Sequence, residues 1–177
     1  MAYGIVELLS GSAHNVDAEN ITFVSADDIE NGSVFTLGAR VTGNEDQFNA
    51  VKPATANIAK QFYMAASPIR VITTLGDGSQ FVDLTPNPKA FINVAGQPID
   101  GVALKIGDRV RLSEDAIGGS KGSNTAVVAT NADYKLNWGA AISGLTLTLL
   151  DTTYISVADG FGSQRVTAYD FIVSAIA

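Results

Sequence analysis

Short β-prone runs separated by turn residues set the limits on what this chain can fold into. Runs rich in Val, Ile, Thr, Leu and Phe recur about every eight to twelve residues, with Gly, Asn, Asp or Pro between them. Residues 91–113 show the pattern most fully. Phe91, Ile92 and Val94 lead into the turn signal Ala95-Gly96-Gln97-Pro98. Val102, Leu104 and Ile106 then alternate with Ala103 and Lys105, the period-2 spacing of a half-buried strand. Gly107-Asp108 is a loop tip, because glycine reaches positive φ without a Cβ clash. Val110 and Leu112 resume the alternation against Arg109 and Arg111. The spacing predicts a meander with one dry and one wet face.

Similar runs fill the rest of the chain. Residues 21–24, 62–66, 69–75, 81–84 and 125–129 read as strands, and 33–41 as a strand broken or bulged at Gly38. In 145–150 Leu and Thr alternate, predicting a strand with its Thr face outward. Residues 154–157 and 166–173 flank a turn at 159–162, with Tyr169, Phe171 and Val173 on one face. Helical signals are few. Ser25 could cap a single turn over 26–30, with Asp27 and Asp28 favourable at its N-terminus, and 56–61 is a second short helical candidate. The expected fold class is therefore all-β, an antiparallel barrel or sandwich of short strands with at most one or two short helical turns. A single β-rich domain over residues 1–177 is expected. Residues 1–10 form either its first edge strand or an N-terminal arm, and the glycine-rich loop 118–124 is the expected mobile site.

Composition narrows the function classes. Apolar residues make up 46% of the 177 and charged residues 16%, so material for a core is ample while surface charge is low. Some apolar surface is then expected to be covered by a partner. Eighteen acids against eleven bases give a net charge of −7, which repels nucleic acid and anionic membrane; neither is expected as a partner. Without cysteine there are no disulfides, zinc–thiolate sites or iron–sulfur clusters. The start of the chain lacks a basic leader, and no apolar run approaches the length that spans a bilayer.

Candidate chemistry is thin. His14 is the single histidine and lies in a polar stretch with no nucleophile elbow. Asp27, Asp28, Glu30, Glu45 and Asp46 read as solvated turns, since adjacent strand side chains point to opposite faces and no calcium loop appears. Lys121 is followed by Gly122 and β-prone residues, which breaks the phosphate-loop pattern. No catalytic, cofactor-binding or metal-binding residue is therefore assigned. The interface candidates are Ile5, Val6, Leu8 and Leu9 near the start and Trp138, since tryptophan is enriched at binding hot spots.

One succession of residues carries a family likeness. Asn31-Gly32, the strand 34–41, Phe48-Asn49-Ala50-Val51-Lys52-Pro53, Met64-Ala65-Ala66-Ser67-Pro68, the Phe91–Pro98 turn and Leu104–Val110 resemble the head-decoration proteins of tailed bacteriophages. The resemblance covers roughly residues 30–115. It departs at Ile69-Arg70-Val71-Ile72 and the segment 76–88, and it has no counterpart beyond Ser113. It implies a virion structural protein, not an enzyme and without a cofactor. Such a protein is made in the host cytoplasm and sits on the outer capsid surface. Its implied partners are the major capsid protein and further copies of itself in a small symmetric oligomer, a trimer favoured. The alternatives are a head-fibre, tail or adsorption protein binding a host receptor or glycan, and a glycan-binding or hydrolytic β-domain.

Overall fold

The computed structural model describes residues 2–10, 20–55, 60–69, 71–74, 80–83, 88–139, 144–159 and 162–176, with backbone alone at 71–74, 80–83 and 159. The fold is all-β. Five strands close a small barrel in the order β2 (Asn20–Val24), β4 (Gln47–Val51), β3 (Val34–Arg40), β5 (Phe62–Ala65) and β8 (Pro98–Ala103). β2 and β4 run parallel, and the other neighbours are antiparallel. A seven-stranded sheet has the order β1 (Val6–Ser10), β9 (Arg109–Ser113), β14 (Gly162–Ala175), β13 (Thr146–Asp159), β11 (Ala126–Ala129), β12 (Leu136–Trp138) and β10 (Ile117–Gly118). β6 (Val71–Thr74) and β7 (Gln80–Asp83) pair as a separate hairpin. Described helix is limited to 3-10 turns such as Pro88–Ala90 and Glu114–Ala116.

Two cores explain the residue pattern. Inside the barrel lie Phe23, Phe35, Tyr63, Ala65 and Ile99. Val34, Phe62 and Met64 point the other way and join Val110, Leu112, Leu147, Phe171 and Val173 of the large sheet in a second core. β5 is thus buried on both faces, which is why Phe62–Ala65 shows no polar alternation. The barrel and the sheet share this second core. At Gly101 a Cβ would stand 2.5 Å from the Phe23 ring, so the ring fills the space that a side chain would need.

Several strands fall where the residues predict them, and the bulge at Gly38 appears as a register shift between Leu37 and Arg40. The meander over 91–113 does not form. Phe91–Val94 contributes a single bridge, Ile29 to Asn93, and β8 begins at Pro98. β8 pairs with β2 and β5 in the barrel, whereas β9 pairs with β1 and β14 in the sheet. The chain leaves the barrel at Leu104, which is buried in the shared core, so the alternation ends there. Ile106 consequently lies on the turn, 67% exposed. Gly107, at φ +96°, turns the chain between two sheets rather than within a hairpin.

The helical turn over 26–30 is absent as well. Ser25 Oγ does accept from the Asp27 N–H at 3.0 Å, as a cap would, but Ile29 is drawn into its bridge with Asn93. Residues 56–59 of the other helical candidate lie outside the described residues. In β13 a bulge between Leu149 and Asp151 resets the alternation. Up to it, Leu145 and Leu147 are buried, and Thr148 and Leu150, the latter 48% exposed, lie on the opposite face as the alternation predicts. Thr146, beside a second register shift at Leu147, is buried instead of facing outward.

Candidate interaction surface

Segments far apart in sequence meet at one end of the barrel, around the side chain of Asn31. Asn31 Nδ2 donates to the Ser67 carbonyl at 2.9 Å, and Asn31 Oδ1 accepts from Ser67 N–H and from Asn93 Nδ2, each at 3.1 Å. Asn93 Nδ2 also donates to the Ile29 carbonyl at 2.9 Å. The neighbouring backbone follows suit, with Gly32 N–H on the Ala65 carbonyl and Gly96 N–H on the Ser25 carbonyl. Asn31 and Asn93 are both buried, so each polar group there needs its partner. Asn31→Ala strands the Ser67 amide and carbonyl, and is expected to cost about 2 kcal/mol in a urea titration. A loss below a few tenths would mean that water replaces the amide.

This brace supports two adjoining cavities on the barrel surface. One, of about 330 Å³, is lined by Pro68, Phe91, Ile92, Val94, Gln97 and Pro98 with Ser67, Asn93 and Asp100. The second, of about 270 Å³, is lined by Asn20, Ile21, Thr22 and Ala66 with Pro68, Asp100, Gly101 and Val102. Val94 stands 52% exposed at the first.

The residues named as interface candidates sit elsewhere. Val6 and Leu8 are half-buried against the shared core and Ile5 is buried against Ile155, Val157 and Val166, so the fold itself uses them. β1 is the edge strand of the large sheet, and of the four only Leu9 faces solvent, at 36%. Trp138 packs edge-on against Tyr169 at 5.1 Å and beside Phe171 at 5.6 Å. Loop 118–124 is tied by an Asn124 N–H bond to the Lys121 carbonyl at 2.8 Å, and Lys121 Nζ lies 5.7 Å from the Tyr169 ring centre. His14 lies outside the described residues.

The acids read as solvated turns are largely engaged within the fold. Asp27 pairs with Lys52 at 2.8 Å and Asp28 accepts from the Ala95 N–H at 2.8 Å. Glu30 accepts from Gly4 N–H at 2.8 Å and pairs with Lys135 at 3.0 Å. Among the described residues no three His, Asp or Glu side chains converge as metal ligands would. No helix among them is long and apolar enough to cross a membrane.

Burial, with the charge of Glu114 adding to it, lifts the Tyr169 phenol above its usual value of 10.0. The folded state then keeps a proton that the unfolded chain gives up. This contribution is intact below pH 10 and is lost as pH rises through the folded value. Tyr169→Phe should flatten the alkaline fall of the unfolding midpoint. An identical fall in both proteins would place its cause elsewhere.

Compared with family models, curated proteins and solved structures, the chain matches none of them. Sequence reasoning did not find the groove at the barrel end. Its lining comes from residues 20–22, 66–68 and 91–102, whose meeting is set by strand pairing and not by local pattern. The signal nearest to it was the proline-bounded pair of turns at Pro68 and Pro98.

Proposed function

We propose that this chain is a structural protein of a tailed-phage virion that decorates and stabilises the outer capsid surface. In this role it is not an enzyme, and it acts by burying surface against shell subunits, so that its binding energy raises the stability of the particle. The observation that carries the reading is the family likeness over residues 30–115. Its separate steps, Asn31-Gly32, Ser67-Pro68 and the Phe91–Pro98 turn, are joined in space by the Asn31 brace. Low charge, 16% of residues, and exposed apolar side chains at Val94, Ile106 and Leu150 also support a protein that works by contact.

Quantitative mass spectrometry of purified particles of the source virus tests this. A count near that of the major shell subunit, or a simple lattice fraction of it, is expected. A few copies per particle would move the chain to a head fibre or tail, and absence from the particle would remove the proposal. The fibre and adsorption reading has one feature in its favour. β13 and β14 stay paired to Asp159 and Gly162, well past their pairings with the neighbouring strands, and present Tyr154 at 57% exposure.

A further inference from the structure

The two cavities at the barrel end adjoin at Pro68 and Asp100 and together make a grooved surface, with Phe91 and Val94 lining one and Asn20 and Ile21 the other. The first cavity is largely apolar, through Pro68, Phe91, Val94 and Pro98, and the second sets Ile21, Ala66 and Val102 beside Asn20 and Thr22. Among the described residues Asp100 is the single charged one in either lining, and both cavities border it. Its backbone is fully used: the N–H donates to Ser67 Oγ at 3.0 Å, and the carbonyl accepts from Ala66 N–H at 2.9 Å. Its exposed carboxylate makes no hydrogen bond or ion pair with another described residue. The nearby acids Asp27, Asp28 and Glu30 are all engaged within the fold.

An unengaged carboxylate between one apolar and one mixed hollow is complementary to a cation flanked by apolar side chains. Both edges of β8 are already paired, so a partner segment meets the groove with its side chains and does not add as a strand. We propose that the groove seats an extended segment of the shell subunit, in which a Lys or Arg opposite Asp100 lies between two apolar side chains. This rests on the decoration reading above. Apolar side chains filling the hollows exclude water around the ion pair, which strengthens it beyond an ordinary surface contact.

The test is saturation binding of the full chain to preassembled heads that lack it, using the wild type, Asp100→Lys, Asp100→Asn and Val94→Glu. Asp100 and Val94 are exposed, so the variants should keep the wild-type unfolding midpoint. Asp100→Asn is expected to weaken binding by about tenfold and to reduce its salt dependence. Asp100→Lys and Val94→Glu are expected to weaken it further. Saturable wild-type binding with all three variants unchanged would overturn the groove and leave the decoration role standing. A wild type that does not bind heads would overturn both.

Discussion

Phe23→Ala is expected to lower the unfolding free energy by about 3–5 kcal/mol. Phe23 is fully buried at the centre of the barrel, with its ring 4.6 Å from that of Phe35 and 4.9 Å from that of Tyr63. A five-stranded barrel has little else to fill it. Gly101 already gives up its side chain to this ring, so collapse around the void would have to come from Ile99, Phe35 and Tyr63. Phe35 and Tyr63 sit on strands whose outward faces are committed. Val34 and Met64, next to Phe35 and Tyr63, pack into the core shared with the large sheet. Relaxation is therefore small, and the cost falls near the upper end of the range. For a domain stable by roughly 5–15 kcal/mol, the loss is large enough to read directly from urea titrations of the two proteins. A loss under about 2 kcal/mol would mean that the barrel closes over the gap, and that strands β3 and β5 shift more freely than their double burial implies.

That double burial also separates what the sequence reveals from what it hides. The faces of β9 are legible because one side is dry: Val110 and Leu112 are buried while Arg109 faces solvent. The long antiparallel pair of β13 and β14 follows from the turn signal in the sequence at 159–162 and its flanking runs. Residues 91–113 mislead because local alternation says which residues face a core but not which core. Val102 belongs to the barrel core and Leu104 to the core of the large sheet, although two residues apart in one predicted strand. The bulge at Leu149–Asp151 is hidden for a related reason: one extra residue exchanges the two faces without marking itself in composition, so Leu147 packs in the shared core and Ile155 and Val157 in another. Residues 1–10 read as a first edge strand or an arm, and β1 is the edge strand. Val6 and Leu8 are apolar because they cover the shared core, and Ile5, just before the strand, packs with Ile155, Val157 and Val166. The groove at the barrel end escaped because Pro68, Asp100 and Ile21 become neighbours only when the barrel closes.

A second large loss is expected at Arg111. The register of the large sheet sets Glu7, Arg111, Asp170 and Asp151 in one row across β1, β9, β14 and β13. Arg111 grips Asp170 through both carboxylate oxygens, Nε to Oδ1 at 2.6 Å and Nη2 to Oδ2 at 3.1 Å, and reaches Glu7 through Nη1 at 3.0 Å. Hydrogen bonding to Asp170 in the first place, with Glu7 adding to it, raises the Arg111 pKa further, so the guanidinium stays charged wherever the fold survives. The two arms are unequal. The Asp170 side chain is only 13% exposed, whereas that of Glu7 is 42% exposed and well solvated. Arg111→Met keeps most of the aliphatic stem but leaves Asp170 without a cation, directly across the β13–β14 pair from Asp151. The expected cost is about 3 kcal/mol, most of it the penalty of a largely buried carboxylate left beside another. Glu7→Gln, removing the exposed arm alone, should cost less than about 1 kcal/mol. Adding Asp170→Asn to Arg111→Met should recover part of the loss, because the stranded charge is then gone. Urea titrations of the four proteins decide the matter. If the double variant is no more stable than Arg111→Met, the arginine acts by packing, and the charged row does not hold β9 to β14.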